Sequence, residues 1–163
     1  MATTYRYLFA NLLTNEIIAE LPLTGVSFTQ QLNQAGTLQG HLLLSGMTTA
    51  QFNVNASTIP GKTAIYVDRN GSLVWGGVIW NRMYSSTQQR LTLSAREFES
   101  YFERRRITQT IDFDQVDQLE IARTLIDDAQ LAPYGDIGVI TGSETSGILV
   151  DRVYYDYELK ELG

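Results

Sequence analysis

Short runs of alternating apolar and polar residues, separated by turn residues, fill the first hundred positions of the chain. Alternation of this period is typical of strands with one buried face, and Asn, Gly and Pro mark the breaks between strands. The pattern predicts a short helical turn within residues 48–57 and strands over residues 5–10, 17–21, 25–32, 37–44, 63–68, 72–83 and 90–95. About six or seven antiparallel strands at this spacing favour a small barrel or sandwich.

The stretch VDRNGSLVWGGVIW, residues 67–80, predicts a tight hairpin at the centre of this strand region. Asn70-Gly71 readily takes the positive φ angles that a two-residue hairpin turn needs. Gly76-Gly77 predicts a bend or bulge in the long return strand. Trp75 and Trp80 would face opposite sides of a straight strand. We therefore expect one indole in the core and the other against a neighbouring subunit, unless the bulge resets the register.

The pattern changes after residue 95. Residues 96–105 read as a short helix or an irregular aromatic segment, and residues 107–113 and 148–154 as strands. Apolar residues at spacings of three and four predict an amphipathic helix over 114–130, capped by Asp114 or Asp117. A second amphipathic helix begins near 155 and stops at the last residue, which favours either a longer natural chain or a fragment.

These elements predict an α+β, mainly β protein with two parts. Residues 1–96 would form an antiparallel β-barrel or sandwich domain. Residues 97–163 would form a smaller α+β segment with one clear amphipathic helix, the start of a second domain that is incomplete here.

Composition narrows the class of protein. The chain has 163 residues, of which 44% are hydrophobic and 18% charged, as in a globular domain. Its net charge of −6 argues against specific nucleic-acid binding, which needs clustered cations. The absence of cysteine excludes disulfides, and no apolar run reaches the roughly 20 residues of a membrane span. We expect a soluble protein made in a reducing cytosol.

Candidate catalytic groups are few. His41 is the only histidine and lies in a leucine-rich strand, so we interpret it as an ordinary strand residue. The carboxylate pairs Asp112/Asp114 and Asp127/Asp128 match the residue types that glycosidases use. Helix capping and solvated surface explain both pairs more simply. We predict no catalytic residue, no metal and no cofactor.

Three other features are open to more than one interpretation. GSETSG, residues 142–147, lacks the Lys-Thr of a phosphate-binding loop. Arg104, Arg105 and Arg106 form the one basic run, for which pairing with carboxylates of a neighbouring subunit or of this chain is favoured over phosphate binding. Aromatic side chains could form a carbohydrate platform, although core or interface positions are commoner for them. They include Tyr5, Tyr7, Phe9, Trp75, Trp80, Phe98, Tyr101, Phe102, Tyr154, Tyr155 and Tyr157.

Nearly the whole sequence resembles the N-terminal part of minor tail proteins from tailed phages of actinobacteria. The most specific stretches are IPGKTAIYVDRNG…VWGGVIW and AREFESYFERR, residues 59–80 and 95–105. The resemblance implies a tail-hub domain, a small β-barrel that packs around the tail axis and joins the tail tube to the tip. It implies a structural role without an active site. Hub proteins of this kind form trimers, and the related distal-tail ring proteins form hexamers.

The resemblance thus predicts a structural protein of the phage tail tip or baseplate hub, located in the virion tail and synthesised in the bacterial host cytoplasm. Its expected partners are copies of itself, with a trimer favoured over a hexamer, and the tail tube, distal tail and tape measure proteins. The alternative is a carbohydrate- or receptor-binding module of the tail tip. The residues predicted at the subunit interface are Asn70, Gly71, Trp75, Trp80, Arg104, Arg105 and Arg106.

Overall fold

The computed structural model describes residues 3–44 and 53–156. The chain divides into two compact units, residues 1–100 and residues 101–163. The fold is α+β and mainly β, with one large antiparallel sheet and one small sheet, in agreement with the predicted fold class.

Unit 1 is built on a single sheet of seven strands in the order β2-β1-β5-β6-β7-β4-β3, each antiparallel to its neighbours. One short helix, α1, spans Val54–Ser57 and includes the end of the predicted helical turn, whose residues 48–52 lie outside the described ranges. A second, α2, spans Glu99–Phe102 and begins in the last two residues of unit 1. The strands are β1 Tyr5–Asn11, β2 Ile17–Glu20, β3 Thr24–Phe28, β4 Thr37–Leu43, β5 Thr63–Arg69, β6 Ser72–Ser85 and β7 Arg90–Glu97.

The large sheet curls on itself. Its edge strands β2 and β3 are consecutive along the chain and are separated only by Leu21, Pro22 and Leu23. In a flat sheet, seven strands would place the outer two about 29 Å apart, whereas this connection reaches about 14 Å at most. Because the strands alternate in direction, β2 and β3 run the same way and form one bent segment that pairs with β1 first and with β4 afterwards.

The residues of this bend contribute to the core. Leu21 is 1% exposed and Leu23 is 7% exposed, and the Leu21 N–H donates to the Tyr7 carbonyl at 3.2 Å. Apolar residues from every strand of unit 1 except β2 and β3 supply most of the remaining buried cluster, as alternation predicts. Besides the two leucines it comprises Phe9, Leu38, Leu42, Val54, Ile65, Val67, Trp75, Ile79, Leu91, Leu93 and Ala95.

The bulges of β6 are not where the glycine pair predicted them. Gly76 pairs with Tyr66 and Gly77 with Ile65 in regular register. The register instead shifts between Val67 and Asp68 of β5, which leaves an extra residue at Val74, and again at Trp80. The two glycines therefore do not serve to form a bulge.

The predicted strand over 25–32 is also shorter than expected. β3 ends at Phe28, and an isolated bridge joins Gln31 to Gln34 around Asn33, which has φ of +61°. The polar tail of the pattern, Gln30 and Gln31, belongs to the turn because β4 supplies ladder partners only as far as Phe28.

Unit 2 contains β8 Ile111–Asp117, the helix α3 Gln118–Leu131 and β9 Leu149–Tyr154. β8 and β9 form a two-stranded antiparallel sheet. The strand predicted over 107–113 therefore lies later in the chain, and the helix predicted from 114 begins at 118. Pairing of Val116 and Asp117 with β9 continues the strand to residue 117, and this distant partner cannot be read from the local pattern.

The apolar stripe predicted for this helix consists of Val116, Leu119, Ala122, Leu125, Ile126 and Ala129, of which only Ala129 is buried. Leu119 is 39% exposed and Ala122 is also exposed, whereas Ile121 and Ala129 are buried. Ile121, Leu125 and Ala129 lie four residues apart on one face of the helix, where Ile121 and Ala129 are buried and Leu125 is half-buried. The final predicted helix, from residue 155, falls almost entirely on residues 157–163, which lie outside the described ranges.

Candidate subunit interface

The central hairpin lies in the interior of the large sheet. β5 is paired with β1 on its other side, and β6 is paired with β7. The hairpin therefore does not form an edge of the sheet. Among the described residues, the strands at the two edges of the sheet are β2 and β3.

Asn70 and Gly71 form the predicted two-residue turn. Their φ angles are +54° and +87°, the positive values of a tight hairpin turn. The turn is exposed and is tied to the N-terminal segment: the Asn70 Oδ1 accepts from the Thr4 N–H at 2.8 Å, and the Asn70 N–H donates to the Thr4 carbonyl at 3.1 Å. The Gly71 N–H donates to Asp68 Oδ1 at 3.0 Å. These bonds hold the turn rigid, and an interface role for it stays a prediction.

Trp75 is a core residue. Its side chain is 3% exposed and its Nε1 donates to the Thr29 carbonyl at 3.0 Å, just beyond the end of β3. This bond crosses the interior of the curled sheet from β6 to the far edge. Trp75 therefore anchors the core, and its burial within unit 1 leaves no indole surface for a neighbouring subunit.

Trp80 is half-buried and lies at the second bulge of β6. Its Nε1 donates to Ser100 Oγ at 2.7 Å, and the Ser100 hydroxyl donates to the Glu97 carbonyl at 2.6 Å. Ser100 is fully buried. Part of the Trp80 ring remains on the surface, where it lines a groove on the outer face of the sheet.

The glycine pair makes room for aromatic rings on both faces of β6. A Cβ at Gly77 would lie 2.6 Å from Cη2 of Trp75 and still closer to the Arg96 carbonyl oxygen. A Cβ at Gly76 would lie 3.0 Å from ring atoms of both Tyr66 and Phe98, whose ring centroids are 5.7 Å apart. Covering strand glycines with aromatic rings is a known way to stabilise a strand that lacks side chains.

The basic run separates into one anchored arginine and two exposed ones. The Arg105 guanidinium lies 4.4 Å from the centroid of the Tyr101 ring, donates to the Tyr101 hydroxyl and donates to the Tyr134 carbonyl at 3.0 Å. Burial lowers the pKa of Arg105. Arg105 thus pairs within unit 2 with an aromatic ring and a carbonyl, whereas Arg104 and Arg106 are exposed.

The edge strand β2 exposes two aliphatic side chains that are not among the predicted interface residues. Ile17 is 61% exposed and Ile18 is 45% exposed. The sequence itself indicates that at least one of them is exposed, because two adjacent isoleucines in one short strand cannot both face the core. A cross-strand ion pair closes the other end of β2: Arg6 Nη2 lies 2.6 Å from Glu20 Oε2, which lowers the pKa of Glu20 and raises that of Arg6.

The one histidine considered for catalysis is held between two strands of the large sheet. His41 is a half-buried residue of β4, with Nδ1 3.1 Å from the Thr92 hydroxyl on β7. Within residues 3–44 and 53–156, no three His, Asp or Glu side chains are grouped to hold a metal ion. No helix in those ranges is long and apolar enough to cross a membrane.

Asp117 is the carboxylate whose environment is most clearly altered. It is the N-cap of α3, and it accepts from the Leu119 N–H at 2.9 Å, the Ser146 hydroxyl at 2.9 Å and the Gly147 N–H at 2.8 Å. Desolvation raises the pKa of Asp117, but these hydrogen bonds outweigh it and lower the pKa to about 2. This arrangement fixes the loop before β9 to the start of the helix, which is a structural role.

The known proteins that resemble this chain do so remotely and only in structure. No protein-family model matches the chain, and no curated protein matches it. The tail protein from Neisseria meningitidis MC58 aligns with a TM-score of 0.45 and 14% identity, over 76% of this chain and 34% of that one. The 43 kDa tail protein of prophage MuSo2 from Shewanella oneidensis aligns with a TM-score of 0.49 and 16% identity, over 96% of this chain and 47% of that one. This chain therefore spans less than half the length of either structure, and at these scores the likeness assigns no role.

Proposed function

We propose that the protein is a structural subunit of a phage tail tip, which assembles with copies of itself into a ring that joins the tail tube to the tip. The resemblance of residues 59–80 and 95–105 to minor tail proteins supports this function. In this proposal the curled sheet of unit 1 is the β-barrel of a hub domain. The bent segment pairs with β1 along β2 and with β4 along β3, so each half keeps one side without a described ladder partner.

The observation that carries the proposal is the edge of β2. An unpaired strand edge with exposed aliphatic side chains promotes strand-to-strand association, and soluble proteins normally protect such edges with charge or cover. Ile17 and Ile18 leave this edge apolar over two consecutive positions. A partner strand added there would satisfy the backbone and cover both side chains.

The two edges of the sheet differ, which suits a closed ring. β2 is aliphatic, whereas β3 carries Thr24, Ser27 and the partly buried Phe28. Unlike edges that meet head to tail generate a ring when the rotation closes. A trimer is the favoured assembly and a hexamer the alternative.

The charge of the two units fits passage of DNA through such a ring. Residues 101–163 contain 13 acidic and six basic residues, so the excess negative charge of the chain lies in unit 2. Like charge discourages DNA from adhering. The ring would transmit DNA without binding it.

The test is the mass of the particle in solution as a function of concentration, by multi-angle light scattering. Wild type should form a discrete oligomer, and Ile17→Lys or Ile18→Lys should shift it towards monomer without loss of the folded spectrum. Ile140→Lys, at a residue of unit 2 that is 94% exposed, is the matched control and should assemble like wild type. A wild-type protein that stays monomeric at every concentration contradicts the proposal.

A further inference from the structure

The outer face of the large sheet contains a groove that ring assembly does not explain. It has a volume of about 490 Å³ and is lined by residues from β3, β4, β6 and β7. Trp80 and Phe28 are the aromatic residues of the lining, and Phe28 also packs against the core. All of the lining residues belong to unit 1.

A row of neutral hydrogen-bonding side chains crosses the sheet at this groove. Ser27 is paired with Gln39, Gln39 with Ser94, and Ser94 with Asn81. Their chain neighbours Leu38 and Leu93 are buried in the core, so the row lies on the opposite, outer face. Ser27, Gln39 and Ser94 line the groove, and Asn81 continues the row beyond it. The four side chains come from four adjacent strands, about 4.8 Å apart from one strand to the next.

These groups match a ligand that is rich in hydroxyl groups. Side-chain amides and hydroxyls both donate and accept hydrogen bonds, as sugar hydroxyls do. The indole of Trp80 supplies an apolar surface next to the row, and an aromatic ring commonly receives the C–H face of a sugar. Among the described residues, the lining includes Arg96 and no carboxylate, a composition that does not favour a cation.

We propose that this groove binds a carbohydrate chain, with Trp80 as the stacking surface and Gln39 as the central hydrogen-bonding residue. A sheet face of a small β-barrel is a known platform for oligosaccharides. The proposal concerns the surface of one subunit, so it does not depend on ring formation. The protein would then contact a glycan while it serves as a structural subunit.

The experiment is a titration of the folded protein, followed by the indole N–H signal of Trp80 in a nitrogen–proton correlation spectrum. The probes are the linear tetrasaccharides of N-acetylglucosamine, glucose and galactose. Trp80→Leu assigns the signal by removing it. At least one probe should shift the signal saturably, with a Kd below about 1 mM.

The variants separate this site from general surface binding. Gln39→Ala should weaken the binding about fivefold, the effect of one hydrogen bond, and it keeps both tryptophans. Thr92→Ala changes a residue on the outer face of β7 outside the groove, and it should bind as tightly as wild type. The proposal is overturned if no probe shifts the Trp80 signal at about 10 mM. Equal binding by Gln39→Ala and wild type would overturn it as well.

Discussion

The ring of Trp75 lies directly over Gly77, two positions along the same strand. A Cβ at position 77 would come within 2.6 Å of Cη2 of this ring. Side chains at i and i+2 of a strand share a face, so the largest core residue of β6 needs the smallest possible neighbour. The glycine pair of the hairpin therefore reflects ring packing, and the bulges of β6 lie elsewhere.

Gly77→Ala should destabilise unit 1 by about 1–3 kcal/mol or more, the usual cost of inserting a methyl group into a packed core. The obstacle includes the Arg96 carbonyl of the neighbouring strand, which cannot move away without breaking the ladder. Urea unfolding followed by tryptophan fluorescence measures the loss. Gly76→Ala is the matched control and should cost less, because its nearest neighbours, ring atoms of Phe98 and Tyr66 at 3.0 Å, can shift.

Local patterns were sufficient to predict most strands of unit 1. Asn-Gly predicted the hairpin because positive φ angles are a property of those residues themselves. The predicted position of the bulge, at the glycine pair, was wrong because glycine permits both a bulge and close ring packing. The choice between a bulge and close ring packing depends on the ring of Trp75 and on the register with β5, neither of which is visible in the local sequence.

Asn70 should be replaceable by glycine at less cost than by alanine. Both substitutions remove the bond from the Thr4 N–H to Asn70 Oδ1, but glycine keeps the φ of +54° without strain. We expect Asn70→Ala to lower the free energy of unfolding by about 1–2 kcal/mol. Asn70→Gly should lower it by less than about 1 kcal/mol. Equal losses in the two variants would show that left-handed backbone strain is not what selects Asn70.

The start of α3 shows a limit of the sequence pattern. Asp114 and Asp117 are equally good capping residues, and the apolar spacing extends across both of them. β9 decides between them, because its pairing with β8 continues to Asp117, so the helix begins only after that residue and Asp117 caps it. The edge of β2 illustrates a similar limit in the candidate site. Its exposure depends on the order of the strands in the sheet, which depends on contacts between distant segments.

Arg105→Lys should destabilise unit 2 although it conserves the charge. Lysine loses the planar stack on Tyr101 and the second donor that reaches the Tyr134 carbonyl. We expect a loss of about 1–2 kcal/mol in the free energy of unfolding, measured from the helical signal in urea. Arg106→Lys, at an exposed neighbour, should change stability by less than about 0.5 kcal/mol. If Arg105→Lys instead alters only the mass of the assembled particle, the arginine acts between subunits and not within unit 2.

Asp117 should make the stability of unit 2 depend on acid pH. Its pKa is about 2 in the folded chain and 3.8 without the fold, so the folded state binds fewer protons in this range. The stabilisation is therefore complete above about pH 4 and is lost as the pH falls towards 2. In Asp117→Asn the loss of helix between pH 5 and 2 should be less steep, as circular dichroism would show, since asparagine still caps but carries no titrating group. Asp127→Asn removes a carboxylate from the same helix away from the cap and should keep the wild-type slope. Parallel curves for wild type and Asp117→Asn would mean that the hydrogen bonds from Leu119, Ser146 and Gly147 do not depend on the charge of the carboxylate.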